Sequence, residues 1–180
     1  MNFFKLFLIV FLFFTFNSEA KNIYVNDNSL AGDLYTSAIG SAANTGLTPN
    51  SPLLTLGAAI SIAVANDIIY VDAGTYPGAT NNTLSLPVAL SGVQIIGANM
   101  STTIFNGGTT GTKNFLNILA QNVLVKNMSI KNYGYGGAIN VVGSDASVNT
   151  VVFLENLYLF NNLKTNLNYV SPSTNGYGGA

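Results

Sequence analysis

Beyond the first twenty residues, the carboxylates that could do acid–base chemistry are Asp27, Asp33, Asp67, Asp72, Asp145 and Glu155. A catalytic pair needs two of them on one face, within reach of the same substrate atom. No two are adjacent in sequence. Asp67 and Asp72 flank one predicted strand at an odd spacing, which turns them to opposite faces. They read as a helix end and a turn. The stretch "NDNSLAGD" (residues 26–33) has the acid density of a calcium loop. It lacks the D-x-[DN]-x-[DN]-G spacing and the terminal Glu, so it reads as turn structure. The chain has no histidine and no cysteine, and its 6 basic residues are all lysine. A zinc site and a histidine-based triad are therefore excluded within this chain. Lysine can act as a base, but Lys126 and Lys131 fall on strand positions expected to face solvent. No catalytic residue, metal or cofactor is indicated.

What remains is surface. Tyr133, Tyr135 and Tyr177 lie in glycine-rich segments, Tyr158 points outward on a predicted strand, and Tyr169 sits in a long polar insertion. A tyrosine offers a flat apolar face and a hydroxyl, which suits a sugar ring or a protein partner. The same residues would also serve simply to cover loop backbone. Tyr133, Tyr135, Tyr158 and Tyr177 are the ligand-binding candidates, with a polysaccharide or cell-surface glycan as the partner.

Only 7% of the 180 residues are charged, and the formal net charge is −1. Without arginine or a basic surplus, nucleic acid and anionic membrane surfaces are poor partners. Residues 1–20 combine Lys5, an apolar run from Leu6 to Phe16, and the small residues Ser18 and Ala20 before the expected cut. This is the pattern of a cleaved secretory signal, with export to the extracellular space or the outer cell surface. No second long apolar run follows, so the mature chain is not expected to be integral to a membrane. An exported chain without cysteine must be held by packing and hydrogen bonds alone.

The elements that must position these residues follow from pattern. Ile23 to Val25 predict a short strand, and residues 30–50 read as loop. Ser51 as N-cap and Pro52 as first helical residue predict a helix over 51–66, with Leu53, Leu56, Ile60 and Ala63 on one stripe. That stripe should cover the open end of a β structure. Residues 123–132, "VLVKNMSIKN", align without a gap on residues 152–161, "VFLENLYLFN". A fainter copy begins at Val93, and "TIFNG" repeats the second half. A period near 30 residues with short strands predicts an all-β parallel solenoid, about three strands per coil. Asn at the bends suits a corner in the left-handed region. Val123, Val125, Met128 and Ile130 are expected inward, and Leu124, Lys126, Ser129 and Lys131 outward. Stacked coils would place Lys126 beside Glu155 and form asparagine ladders. The phrase GYGGA occurs at residues 134–138 and 176–180, the first time opening a third strand at Ala138. Its second copy suggests a chain that stops mid-coil.

Pro52, Thr55, Leu56, Ala59, Ile60, Asp67, Ile69, Val71, Gly74, Thr75 and Tyr76 stand in an order that resembles the pectin-lyase-like superfamily. The resemblance implies a right-handed parallel β-helix with a short N-terminal capping helix, residues 67–180 forming the coils. The segment before the helix resembles exported β-helix proteins of Bacteroidetes-type bacteria. "GGAI" and "FLEN" resemble repeats of polymorphic outer-membrane adhesins. Lyases of the superfamily imply calcium held by clustered carboxylates and a basic residue, often arginine; its hydrolases imply neighbouring aspartates. This sequence has neither set. The expectation is a non-catalytic secreted or surface module that contacts polysaccharide or another cell. Alternatives are the front part of a polysaccharide lyase or hydrolase whose catalytic coils lie elsewhere, and a structural stalk.

Overall fold

The computed structural model describes residues 19–108, 113–134, 136–142 and 151–162. Within them the chain forms β1 (Asn22–Val25), α1 (Leu56–Ile62), β2 (Ile68–Val71), β3 (Gly74–Pro77) and β4 (Leu84–Leu86). A 3-10 turn (Val88–Leu90) leads to β5 (Gln94–Gly97), β6 (Thr103–Asn106), β7 (Leu116–Ile118), β8 (Val123–Lys131), β9 (Ile139–Val141) and β10 (Val152–Phe160). All strand pairs are parallel. One sheet runs β1-β2-β5-β8-β6-β3 with β10 on β8, and a second runs β4-β7-β9. The fold is all-β and parallel, with little helix.

The register shows why the sequence repeats. Val152, Leu154, Leu157 and Leu159 lie opposite Val123, Val125, Met128 and Ile130, and Glu155 lies opposite Lys126. These pairs are the ones the ungapped alignment predicts. β8 is long because its first half pairs with β5 and its second with β6. Between the halves stands Asn127, at φ 59, with Asn132 at φ 60 closing the strand and Asn156 and Asn161 repeating both corners on β10. A β-branched residue is excluded there by its Cβ, whereas Asn tolerates the conformation and can bond its neighbour. Asn156 Nδ2 donates to Asn127 Oδ1 and Asn161 Nδ2 to Asn132 Oδ1, each at 2.9 Å. The ladder runs one step further down, Asn132 Nδ2 donating to Asn106 Oδ1 at 2.8 Å. Beneath Asn127 the column holds Gly97, where any Cβ would run into the Asn127 carbonyl oxygen.

Alternation then builds the core in columns. Ile23, Ile69, Ile95 and Val125 stack in register and are fully buried. A second column is aromatic. Tyr76 stacks on Phe105 with centroids 5.0 Å apart, Phe105 meets Phe115 at 4.6 Å, and Phe115 meets Tyr133 at 5.3 Å.

The helix is shorter than its stripe implies. Its N-cap is Thr55, whose Oγ1 accepts from the Ala58 N–H at 3.2 Å, not Ser51. Leu53 is claimed by β1 instead: its N–H donates to Tyr24 O at 2.8 Å, and its carbonyl accepts from Asn26 N at 2.9 Å. Parallel pairing to a neighbouring strand outweighs the local preference for a proline-started helix. Leu56 and Ala59 still face the core, with Ile60 and Ala63 packed at its margin. Ser129 also departs from expectation, lying buried on the outer side of β8 with its hydroxyl donating to Met100 O at 2.6 Å. The loop before β6 folds over it.

Candidate functional site

The outer face of the second half-strands carries the site. β6, β8 and β10 place Ile104, Ser129 and Tyr158 in one column, and Asn106, Lys131 and Phe160 in the next. The loop before β6 adds Met100 and Ser101. Together Met100, Ser101, Ile104, Ser129, Lys131 and Tyr158 line an open, mainly apolar groove of about 410 Å³. Tyr158 is 53% exposed, and its ring lies parallel to that of Phe160, centroids 6.0 Å apart and planes within 5°. The Asn99 side chain pins the rim by accepting from Ser101 N and Oγ, both at 2.8 Å. Among the described residues Lys131 has no carboxylate partner. An aromatic face, a free ammonium and hydroxyls on a rigid sheet can hold a ring with polar edges.

Of the four predicted ligand-binding tyrosines, Tyr158 stands in this groove. Tyr133 does not: it is 1% exposed and ends the aromatic column, its hydroxyl donating to Asn81 O at 2.7 Å. Asn132 turns the backbone through the left-handed region and sends the next side chain inward, so the glycines around Tyr133 mark a turn over a buried ring. Burial pushes the Tyr133 hydroxyl pKa up, so it stays protonated. Tyr135, Tyr169 and Tyr177 lie outside the described residues, as do residues 1–18 of the expected signal segment, Asp145 and the second GYGGA. The groove's Met100, Ser101 and Ile104 had no sequence signal, because a loop and two strands distant in sequence converge there.

The aspartates organise the N-terminal loop. Asp72 is fully buried and accepts from the N–H groups of Leu34, Tyr35 and Thr36 at 2.6, 2.8 and 2.7 Å. The Ala73 N–H (2.9 Å) and the Thr36 hydroxyl (2.9 Å) complete its shell. Asp67 accepts from Val64 N at 2.8 Å and Lys21 N at 2.9 Å, with Lys21 Nζ 3.6 Å away. Asp27 caps the turn at Ser29 and receives Thr75 N. Among the described residues, no three Asp, Glu, His or Cys side chains are placed to hold a metal ion.

Asp33 is the unbalanced member. One of its oxygens takes Asn26 Nδ2 at 2.6 Å, while Oδ1 is buried without a partner. Burial first, and then the charges of Asp72 and Asp27, raise its pKa. A raised folded-state pKa means that the stability it contributes is complete below the unfolded value, about 3.9, and is lost as pH rises through the folded value. Asp33→Asn should therefore raise the melting temperature at neutral pH but leave it little changed at about pH 3.5. Thermal melts at both pH values check this; a lower melting temperature at neutral pH would contradict it.

A family model described as "Protein of unknown function (DUF1565)" matches residues 38–132. That span runs from the N-terminal loop through the helix to the end of β8. No curated protein and no solved structure matches the chain. Over half of its length carries the family's pattern, and the chain belongs to the DUF1565 family, which is associated with parallel β-helix proteins.

Proposed function

We propose that the chain is a secreted or cell-surface module that binds polysaccharide or cell-surface glycan without turning it over. In this reading residues 1–20 are removed on export, and the rest is a right-handed parallel β-helix of roughly three strands per coil, with α1 closing its N-terminal end. The observation that carries the proposal is the groove that the exposed Tyr158 ring lines together with Lys131 and Ser101. An aromatic platform beside hydrogen-bond donors is what a pyranose ring stacks on, with its C–H face on the ring and its hydroxyls at the edge. The lack of histidine and arginine, and the engagement of Asp27, Asp67 and Asp72 in loop backbone, support the non-catalytic reading.

Binding of the purified protein to a glycan array, followed by titration of the best ligand, tests this. Tyr158→Ala should weaken binding about three- to tenfold, the worth of one aromatic contact, while the fold is kept because the ring is exposed. Unchanged affinity would remove Tyr158 from the site. Release of new reducing ends or unsaturated products from pectin or alginate would overturn the non-catalytic assignment in favour of a lyase or hydrolase.

A further inference from the structure

Ser101 and Ser129 both line the groove, one from the loop before β6 and one from β8. Their hydroxyl hydrogens are already committed. The Asn99 side-chain atom that Ser101 N reaches at 2.8 Å must be the carbonyl oxygen, because a backbone N–H only donates. That oxygen only accepts, so the Ser101 hydroxyl, also 2.8 Å from it, donates its hydrogen there. Ser129 Oγ lies 2.6 Å from the Met100 carbonyl oxygen and donates its hydrogen to it. Each serine oxygen keeps its lone pairs, and among the described residues no donor of the protein engages them.

The loop that carries Ser101 is fixed at its base. Thr103 is fully buried; its N–H donates to Asn99 O at 2.8 Å and its hydroxyl to Asp72 O at 3.2 Å. The Thr103 Oγ1 also accepts from Ala98 N at 3.0 Å. Ser129 stands between Ile104 of β6 and Tyr158 of β10 and is 7% exposed. Turning either serine hydrogen toward a ligand would break the bond it now makes, so donation from either is penalised. We propose that Ser101 and Ser129 are acceptor-only specificity residues: the groove takes a sugar whose unsubstituted hydroxyls donate to them, and discriminates against the same sugar when those hydroxyls are replaced by groups that cannot donate. This deepens the glycan reading of the groove and rests on it. A sugar ring carries adjacent hydroxyls that each have a hydrogen to give, so one edge of it can match two acceptors. A ligand group without that hydrogen leaves the serine oxygen unpaired, and the unpaired acceptor is what selects. Ser129 discriminates more strongly, because it is buried whereas Ser101 is exposed and can turn to water.

Methyl glycosides of glucose, galactose and mannose, each free and with single hydroxyls replaced by fluorine, are titrated against the purified protein by NMR. Fluorine is close to a hydroxyl in size and has no hydrogen to donate. For a glycoside that binds, fluorination at one or two positions should weaken binding about two- to tenfold, the worth of one hydrogen bond. Ser129→Ala should weaken the free glycoside by a similar factor and leave the affinity for the matching fluorinated form unchanged. Ser101→Ala, at an exposed position that the fold does not need, should show the same pattern with a smaller factor. A serine that only props the loop would weaken both forms alike, and that result overturns the proposal. So does wild-type protein that binds every fluorinated form as tightly as the free sugar. Binding that Tyr158→Ala weakens, but that neither serine variant nor fluorination changes, overturns this inference and leaves the glycan reading standing. Wild-type protein that binds neither these glycosides nor any arrayed glycan overturns both together.

Discussion

Phe105→Ala should lower the unfolding free energy by about 3–5 kcal/mol, the cost of truncating a large, fully enclosed aromatic side chain. Phe105 sits on β6 between Tyr76 and Phe115, with no exposure. Its removal loses the transfer free energy of the ring and leaves a cavity. The cavity cannot close, because the layers above and below are held at strand spacing by hydrogen bonds from β6 to β3 and to β8. Phe105→Leu keeps most of the volume and should cost roughly 1–2 kcal/mol. Urea unfolding followed by far-UV circular dichroism measures both. An alanine variant within about 1 kcal/mol of the parent would show that the column can collapse, contrary to a rigid stack.

Asp72→Ala should be comparably costly, about 3–5 kcal/mol, for a different reason. One buried carboxylate serves four backbone N–H groups and a hydroxyl, three of those N–H groups belonging to residues 34–36. Alanine leaves these donors buried with no acceptor, and the loop must open to hydrate them. Asp72→Asn keeps one oxygen as an acceptor but turns an NH₂ toward donors, so it should recover only part of the loss. Amide exchange distinguishes the mechanism: residues 34–36 should lose protection first, before β2 and β5. Exchange that accelerates evenly across the sheet, or no destabilisation, would contradict a local clamp.

How much of this was legible in the sequence depends on how local its cause is. The pairing of Val123 to Asn132 with Val152 to Asn161 could be read directly, because stacked parallel strands require the same inward residues at the same period. The corners at Asn127, Asn132, Asn156 and Asn161 were legible for the same reason, since each depends on the conformational range of one residue. Thr55 as N-cap was not legible, because Ser51 and Pro52 are good local signals and lose only to the backbone of β1. Tyr133 was misplaced because a glycine-rich flank looks like surface until the aromatic column beneath it is known.

The groove follows the same division. Tyr158 could be chosen from alternation on its own strand, but its companions Met100, Ser101 and Ile104 come from an earlier layer and meet it only across the sheet. By itself the sequence determined the strand period, the inward faces, the asparagine corners and the absence of histidine, arginine and cysteine. These are properties of single residues or of spacing along the chain. The tertiary structure decided where the helix starts, which tyrosine is buried, which aspartate clamps the loop and which side chains share a groove. Those outcomes are competitions between segments distant in sequence for the same hydrogen bonds and the same space, and no local pattern records which segment wins.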